Sequence, residues 1–419
     1  MNKTAVYNKI EELKEDIVDY ACNIVSFPTL SGQEKEAQEY LKEELEKLQF
    51  DSTEMWEPQI SELKGHKAFI TKRDDFQNSP NLVGTLKGQG GGRSLIFNSH
   101  IDVVPEGDLS EWEFEPFHGI VDNGNIYGRG ISDMKGTDAA FLGVIKAFKE
   151  LGIEVKGDLM FQSVIEEETG SAGSLSCALK GYSADAAIIP EPTNFAICPA
   201  QQGAAWSRIK VKGKSAHAGQ RYKGVSAIKK TYKIISYLEK LEDKKNELFK
   251  NPLYKDNEIP FTINIGTIKG GEWPSSVPEN VEIEVRMAIP PGEEVKEAKS
   301  FMEDWIREAS QKDKWLKENP AQIEWFGAFW GSAQIPADHE LVTVSKNSFS
   351  EIREEKNRVI GTPWGTDAHI LTKYADTPAL VFGPGETAHC PDEYIPIKDL
   401  MDYTKILASI IIDWCGIKN

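Results

Sequence analysis

The sequence contains little cysteine, and its cysteines are scattered. No CxxC pair occurs in the 419 residues, and the five cysteines are Cys22, Cys177, Cys198, Cys390 and Cys415. An odd number of isolated cysteines argues against a disulfide framework and against a structural zinc knuckle. This usage fits a reducing compartment, and we expect a cytoplasmic protein.

Long apolar runs and an excess of basic residues are also missing. The longest runs, such as Ala186–Pro190, are far shorter than the ~18 residues of a membrane-spanning helix. Residues 1–20 are rich in charge and lack the apolar segment of a secretory signal. Lys and Arg number 48 against 66 Asp and Glu, a net charge of −18. Nucleic acid and anionic membrane surfaces are therefore disfavoured as partners.

Alternating helix and strand patterns predict an α/β domain in the first part of the chain. Apolar residues spaced three or four apart predict helices over residues 6–25, 33–49 and 137–151. Short β-type runs at Asn81–Leu86 and Ser94–Asn98 predict strands. Strands that alternate with helices of this length indicate a largely parallel sheet.

The middle of the chain has a different pattern. Between residues 206 and 325 the predicted elements follow the order β-α-β-β-α-β, which is typical of a ferredoxin-like α+β unit. The α/β pattern then resumes. We therefore expect an α/β domain made of residues 1–200 and 328–419, with a second domain, residues 201–327, inserted into it.

A histidine and an aspartate follow the predicted strand Ser94–Asn98. His100 and Asp102 are two residues apart, so on an extended segment they point the same way and Asp102 could act beside His100. Open α/β sheets place their functional sites beyond the carboxyl ends of strands. Taken alone, the pair is a weak signal, and a capped turn with a surface histidine is the better explanation.

Carboxylates occur at similar points elsewhere. Asp133 follows a glycine-rich turn at a predicted helix start, where it can be an N-cap or a ligand. The triplet Glu166-Glu167-Glu168 follows an apolar strand, and Glu191 follows another. A solvated acidic loop is the usual explanation for one such run, but three carboxylates together are costly unless they are solvated, protonated or neutralised by cations.

A second histidine, His389, follows the apolar run Ala379–Phe382. Four separate strand ends that each present histidine or carboxylate are hard to reach by chance. Histidine and carboxylate ligands without cysteine suit zinc, or failing that cobalt or manganese. Two metals that share a bridging carboxylate would account for the surplus of acids and would activate water.

These segments, in this order, resemble the five motifs of the di-zinc peptidase family that includes acetylornithine deacetylase, succinyl-diaminopimelate desuccinylase, aminoacylase and glutamate carboxypeptidase. The resemblance extends over nearly the whole chain. It implies an α/β fold with a zinc-peptidase-type mixed sheet flanked by helices, and an inserted ferredoxin-like lid and dimerisation domain. It also implies two divalent metal ions, with Zn²⁺ as the first choice and Co²⁺ as the alternative.

The resemblance assigns the metal ligands position by position. His100 and Glu191 would bind one metal. Glu168 and His389 would bind the other, and Asp133 would bridge the two.

The resemblance also implies catalytic roles around these ligands. Asp102 would orient His100, and Glu167 would be the general base that takes a proton from the metal-bound water. His217, in Gly213-Lys214-Ser215-Ala216-His217, matches a lid histidine that reaches into an active site. In relatives this histidine comes from the partner subunit, so a homodimer is implied.

Three further residues match positions where relatives line the substrate pocket. Arg286 matches a lid arginine that pairs with a substrate carboxylate, and Asn264 and Thr366 match pocket positions. Arg286 is otherwise explained as an exposed strand residue and Asn264 as a strand-edge side chain. Many relatives have asparagine where this chain has Ser276, so recognition there departs from the family pattern.

The resemblance implies an enzyme that cleaves an amide bond of a small N-acyl substrate. Glutamate at the Glu191 position is associated with N-acyl amino acid deacylases, so a deacylase of the acetylornithine deacetylase type is our first interpretation. A carboxypeptidase or dipeptidase of the same family is the alternative. The tryptophans also leave room for a deformylase of a formylaminopyrimidine: Trp206, Trp273, Trp330 and Trp364. A non-catalytic binding protein is disfavoured because every implied ligand and the base are present.

Overall fold

The computed structural model describes residues 3–418, apart from the side chain of Ala328. The helix expected over residues 6–25 is divided at Leu13, although helical hydrogen bonds continue from Leu13 N to Lys9 O and from Ile17 N to Leu13 O. No helix within residues 3–418 combines the length and apolar character needed to cross a membrane. The helices are α1 (Lys3–Glu12), α2 (Lys14–Ser26), α3 (Lys35–Lys47), α4 (Ile60–Leu63), α5 (Gly136–Glu150), α6 (Ala172–Leu179), α7 (Ala227–Leu248), α8 (Val295–Gln311), α9 (Lys314–Glu318), α10 (Glu340–Ile352), α11 (Ala368–Tyr374) and α12 (Ile397–Cys415).

The strands are mostly short, and several are too short to give a sequence pattern of their own. They are β1 (Ser52–Trp56), β2 (Asn81–Leu86), β3 (Leu95–His100), β4 (Ile120–Asp122), β5 (Asn125–Tyr127), β6 (Leu159–Val164), β7 (Ala186–Ile189), β8 (Ile197–Gln201), β9 (Gly203–Lys212), β10 (Ile263–Gly270), β11 (Asn280–Ile289), β12 (Gln322–Trp330), β13 (Ala333–Gln334), β14 (Val359–Thr362), β15 (Ala379–Val381) and β16 (Tyr394–Pro396).

The main sheet is mixed, with the order β1-β2-β6-β3-β7-β15-β8-β13 and β14 beside β8. Its middle strands β6, β3, β7 and β15 are parallel, whereas the pairs β1–β2, β2–β6 and β8–β15 are antiparallel. The prediction of a largely parallel sheet is therefore wrong at the edges. The connection from Leu86 to Leu95 is too short for a crossover helix, so β2 and β3 run in opposite directions.

Helices flank this mixed sheet. The predicted α/β fold class is therefore confirmed. Helix α5 is buried along most of its length and packs against α2 and α12. Helix α3 packs on β1 and β2, and α6 packs against α11. These helices cover the apolar side chains of the middle strands, which are fully buried.

A second sheet has the order β10-β11-β9-β12, and all its pairs are antiparallel. Helices α7 and α8 cover one face, where Ile209 and Ile283 of the sheet form a core with Ile234, Met302 and Ile306 of the helices. The alternate residues of β9 and β11 lie on the opposite face and are partly exposed. The element order β-α-β-β-α-β and this strand order are those of a ferredoxin-like unit.

The chain folds into two compact units. The first comprises Met1–Ala200, Gln334–Thr362 and Thr366–Asn419, and the second comprises Gln201–Ala333 with Pro363–Gly365. The short segment Pro363–Gly365 is distant in sequence from the rest of the second unit, and no periodicity indicates that it packs there. The roles of lid and dimerisation domain stay predictions.

Candidate metal centre

Four neighbouring parallel strands of the first unit end at one edge of the main sheet. Strand β3 ends at His100, and the acidic triplet that contains Glu168 follows β6. Glu191 follows β7, and the segment that contains His389 follows β15. Because these strands run in the same direction, their carboxyl ends bring the predicted side chains to the same edge.

Asp133 lies between the two histidines. It belongs to the turn Ile131–Lys135, which leads into α5 and packs beside β3, and its own backbone angles are not helical. Its Oδ1 is 3.1 Å from His100 Nε2, and its Oδ2 is 3.2 Å from His389 Nε2. Each carboxylate oxygen therefore faces a different histidine, which is the arrangement that a bridging ligand needs.

Two glutamates complete the groups around these histidines. Glu168 Oε1 is 3.0 Å from His389 Nε2, and Glu191 Oε1 is 4.0 Å from His100 Nε2. The structure thus brings together all five residues that the resemblance assigns as ligands.

The donor atoms fit divalent metal ions. Ligand atoms at ~2.0–2.1 Å from a tetrahedral zinc are about 3.3 Å apart, close to the separations found here. His100 Nδ1 lies 2.8 Å from the Asp102 carbonyl oxygen, which can only accept, so Nδ1 carries a proton and Nε2 faces the carboxylates. Glu191 Oε1 is buried and has no hydrogen-bond partner among the described residues. A cation would satisfy this oxygen and the lone pair of His100 Nε2.

The electrostatics of the cluster also favour cations. Burial by itself lowers the pKa of His100, but the hydrogen bond and charge of Asp133 outweigh it and raise that pKa well above the usual value. Hydrogen bonds to Asp133 and Glu168 raise the pKa of His389 to about 10. Burial raises the pKa of Glu191, and the charge of Asp133 raises it further. The site therefore has a strongly negative potential that divalent ions would neutralise.

Asp102 holds the neighbouring acidic loop. Its Oδ1 accepts from Glu167 N and its Oδ2 from Glu168 N, each at 3.2 Å. The Asp102 carboxylate is 3.8 Å from His100 Nδ1, so the group that accepts the hydrogen bond of His100 is the Asp102 backbone carbonyl. Asp102 thereby contacts both the histidine and the loop that carries the predicted base.

Glu167 lies within the same cluster. Its side chain is buried, and no side chain or backbone group of the described residues donates a hydrogen bond to its carboxylate. Burial raises the pKa of Glu167 well above the usual value, and the charge of Glu191 adds to this. His100, Glu167 and Glu191 offer ligand atoms within 4.8 Å of one another, so distance alone does not separate a base from a ligand.

The predicted substrate residues Asn264 and Arg286 lie in the second unit. They are directly opposite each other on β10 and β11, and Arg286 is opposite Trp206, which is opposite Phe326. Opposite residues of antiparallel strands share a face, so these four side chains form one row on the face away from α7 and α8. We call this set the aromatic row.

The aromatic row and the neighbouring Trp330, which is opposite Ala204, contain polar groups that lack full partners. Burial lowers the pKa of Arg286, and no carboxylate of the described residues offsets it. Among the described groups, its Nη2 donates only to the Pro363 carbonyl, at 3.3 Å. The Trp330 ring centroid is 6.2 Å from that of Trp206, and Trp330 Nε1 is buried without an acceptor in the described part of the chain. These donors are free for a bound molecule.

Two predicted residues are in other settings. Thr366 is fully buried in the first unit, where its hydroxyl accepts from Ala368 N at the start of α11. His217 is exposed in the second unit, and its Nδ1 accepts from Gly219 N at 3.1 Å. The proton of a neutral His217 is therefore on Nε2, which leaves that atom as a free donor.

The structure also reveals a buried pair that the sequence did not single out. Arg129 and Glu393 form an ion pair beside Asp133 and His389. Both residues flank predicted ligand motifs, but a charged residue in a polar loop gives no sign of burial. Only the fold shows that they are interior.

Comparison with known proteins identifies the family. The sequence profile described as peptidase family M20/M25/M40 matches residues 96–413. The chain is 31% identical to N-formyl-4-amino-5-aminomethyl-2-methylpyrimidine deformylase of Bacillus subtilis, over 99% of this chain and 98% of that protein. It is 28% identical to acetylornithine deacetylase of Proteus mirabilis, over 80% of this chain and 82% of that protein.

Solved structures agree in fold. Aminopeptidase PepT from Bacillus cereus has a TM-score of 0.73 at 23% identity, with 95% of this chain and 98% of that chain covered. At this identity the likeness shows the fold alone. The profile match over most of the chain and the end-to-end relative show that this protein belongs to peptidase family M20/M25/M40 and is a metal-dependent hydrolase.

Proposed function

We propose that the protein hydrolyses an N-formylated aminomethylpyrimidine to formate and the free amine. The observation that carries this proposal is the likeness to the Bacillus subtilis deformylase, which extends over nearly all of both chains. The likeness to acetylornithine deacetylase is lower and covers less of each chain. Of the interpretations that the sequence left open, the deformylase therefore has the better support.

The side chains of the aromatic row are suited to binding a flat heteroaromatic substrate. The Trp206 and Phe326 rings are tilted against each other with centroids 6.3 Å apart, and aromatic groups of this kind pack well against a flat heterocycle. The free donors of Arg286 and Trp330 can bond to ring nitrogens, which accept hydrogen bonds. We infer that these groups select the pyrimidine ring.

The proposed metal centre consists of His100, Asp133, Glu168, Glu191 and His389, with Zn²⁺ or Co²⁺ as the ions. Two divalent ions bound there would polarise the amide carbonyl and acidify water.

In the proposed reaction, Glu167 takes a proton from the attacking water and passes it to the leaving nitrogen as the C–N bond breaks. The Asp102 carboxylate, through the amides of Glu167 and Glu168, holds the base beside the ligands. Nε2–H of His217 would donate to the oxygen that gains negative charge in the transition state.

A second candidate is the N-acyl amino acid deacylase of our first interpretation. The observation that favours it is the uncompensated, half-buried Arg286, because a guanidinium fork suits a substrate carboxylate. An aminomethylpyrimidine has no carboxylate. Only the substrate of this second candidate therefore brings an anion to Arg286.

A substrate panel tests the proposal. The zinc- or cobalt-loaded enzyme is assayed with N-formyl-4-amino-5-aminomethyl-2-methylpyrimidine, N-acetylornithine, other N-acetyl amino acids and dipeptides. We expect kcat/KM for the formylpyrimidine to exceed the others by at least about 100-fold, since a polar site rejects substrates that leave its groups unpaired. A higher kcat/KM for any N-acetyl amino acid or dipeptide would overturn the deformylase assignment.

We further propose that the protein is a homodimer assembled through the second unit. Strand β10 is at the edge of its sheet, and Ile268 on it is 58% exposed. Tyr222, Tyr232 and Trp273 of the same unit are even more exposed. Unpaired edge strands and exposed apolar side chains favour association with a second copy. A cytoplasmic location stays a prediction.

A further inference from the structure

Arg129 and Glu393 form an ion pair inside the first unit. Arg129 Nη1 is 2.7 Å from Glu393 Oε2, and the two side chains are 3% and 1% exposed. Withdrawing two such charges from water costs free energy that the attraction between them often only balances. A pair in this position therefore calls for a reason other than stability.

The glutamate end of the pair holds the turn that carries Asp133. Glu393 Oε1 accepts two hydrogen bonds, from Ser132 N at 2.9 Å and from Asp133 N at 3.1 Å. Asp133 is the residue whose two oxygens face the two histidines. Its position is thus set by the carboxylate of Glu393.

The arginine end connects the pair to the other ligand segments. Arg129 Nη1 also donates to the Cys390 carbonyl at 3.2 Å, next to His389. Arg129 Nη2 donates to the Pro105 carbonyl at 3.4 Å, in the segment that follows His100. A planar guanidinium presents its donors at fixed angles, so it fixes the distances among the groups it binds.

We propose that the Arg129–Glu393 pair is a positioning clamp, which holds the segments of His100, Asp133 and His389 at the spacing that the metal ions require. The carboxylates of this site repel one another in the absence of cations, and a rigid clamp would keep them in place. The proposal rests on the proposed metal ligands and is independent of the proposed substrate.

Metal affinity is the property that tests the clamp. Zn²⁺ binding to the full-length protein is measured by competition with a chromophoric chelator, for wild type, Glu393→Ala, Glu393→Gln and Arg129→Lys. Loss of a partner that orients metal ligands typically lowers affinity about 10–100-fold, and we expect this range for Glu393→Ala. Glu393→Gln keeps an oxygen that can accept from Ser132 and Asp133, so its loss should be smaller.

A buried pair in the second unit provides the matched control. Lys245 Nζ is 2.6 Å from Glu293 Oε2, and the side chains are 0% and 5% exposed. Glu293→Ala and Glu293→Gln should lower resistance to urea but leave Zn²⁺ affinity within about threefold of wild type. Urea unfolding of each metal-free variant shows how much stability was lost.

The possible outcomes distinguish a failure of the clamp proposal from a failure of the proposed metal centre. Lower affinity in the Glu393 and Arg129 variants, with the control variants unchanged, supports the clamp. Folded Glu393→Gln and Arg129→Lys proteins that both bind Zn²⁺ like wild type would overturn it, even if Glu393→Ala fails to fold. An equal loss of affinity in the Glu293 variants would also overturn it, because the effect would then follow from stability. A wild-type protein that binds no Zn²⁺ would instead refute the metal centre itself.

Discussion

Glu167 and Glu168 are adjacent in the chain but have different surroundings. Glu168 Oε1 is 3.0 Å from His389 Nε2, so its carboxylate is already engaged with a predicted ligand. The Glu167 carboxylate accepts no hydrogen bond from the described residues and is held in place through its backbone amide by Asp102. This difference supports a division of labour between a base and a ligand.

We predict that Glu167→Gln keeps its metal ions and loses turnover. Glutamine has nearly the same shape as glutamate but cannot take the proton from water, and general bases typically contribute ~10²–10⁴-fold. Turnover of the preferred amide and metal content by elemental analysis are measured together.

Glu168→Gln is the matched comparison, because the same change is made one residue away. We expect the main effect of Glu168→Gln to be a lower metal content. A Glu167→Gln protein that loses metal as readily as Glu168→Gln would show that Glu167 is a ligand. One that keeps turnover within about tenfold of wild type would exclude the role of base.

Helix α9 of the second unit begins at a charged cap. Asp313 Oδ1 accepts from Trp315 N at 2.9 Å and Leu316 N at 3.1 Å, and the carboxylate pairs with Lys230 and Lys233 of α7. Burial by itself would raise the pKa of Asp313, but the hydrogen bonds from Lys230 and Lys233 outweigh it and hold that pKa well below the usual value. The cap thereby couples α9 to α7.

The depressed pKa of Asp313 predicts an acid-dependent loss of stability. A carboxyl group with a lowered pKa in the folded state stabilises the fold above its unfolded pKa, ~3.9, and this contribution is lost as pH falls towards the folded pKa. Asp313→Asn keeps a capping oxygen but loses the ion pairs. We expect it to lower the free energy of unfolding by about 1 kcal/mol at pH 7. The difference in free energy of unfolding between wild type and Asp313→Asn should become smaller below about pH 4, because the wild-type carboxylate then loses its advantage.

Asp304 is the control for this measurement. It forms an exposed ion pair with Arg307 on α8 in the same unit, and such pairs contribute little. Urea unfolding of wild type, Asp313→Asn and Asp304→Asn between pH 3.5 and pH 7 gives the comparison. If the difference in free energy of unfolding between wild type and Asp313→Asn stays constant across this range, the ion-pair explanation is contradicted.

The proposed dimer makes a prediction about shared active sites. The resemblance assigns His217 to the site of the partner subunit, and the structure leaves its Nε2–H free as a donor. Glu167→Ala and His217→Ala should each be nearly inactive as homodimers. After subunit exchange, each mixed dimer contains one site with both residues intact, so about a quarter of wild-type activity should return with random mixing.

Subunit exchange is followed separately, with two fluorescent labels, so that activity and mixing are measured in the same sample. Activity that stays at background despite complete exchange would show that His217 does not act across a dimer. A single-subunit mass in sedimentation would refute the dimer itself. Arg221→Ala is a useful control, because Arg221 is an exposed residue of the same turn and has no role in the proposed site or dimer surface, so this variant should not need complementation.

The family could be inferred from the sequence alone, because its motifs are local in the chain, and the ligand set stays a prediction that rests on the same motifs. A histidine or carboxylate that follows a short apolar run can be recognised without knowledge of the neighbours of that run. His100 and Glu191 are of this kind, whereas Asp133 follows a glycine-rich turn. The alternation of helices and strands likewise depends on residues a few positions apart, so the α/β class and the β-α-β-β-α-β order followed from periodicity.

Other features depended on contacts between distant parts of the chain. The antiparallel edges of the main sheet arise from strand pairing, which apolar periodicity does not encode. The carbonyl rather than the carboxylate of Asp102 accepts the His100 hydrogen bond, and Arg129 meets Glu393 across 264 positions of sequence. Burial, tautomer and distance are properties of a residue's neighbours in space. Local patterns therefore identified the chemical groups, and long-range packing set how those groups face one another.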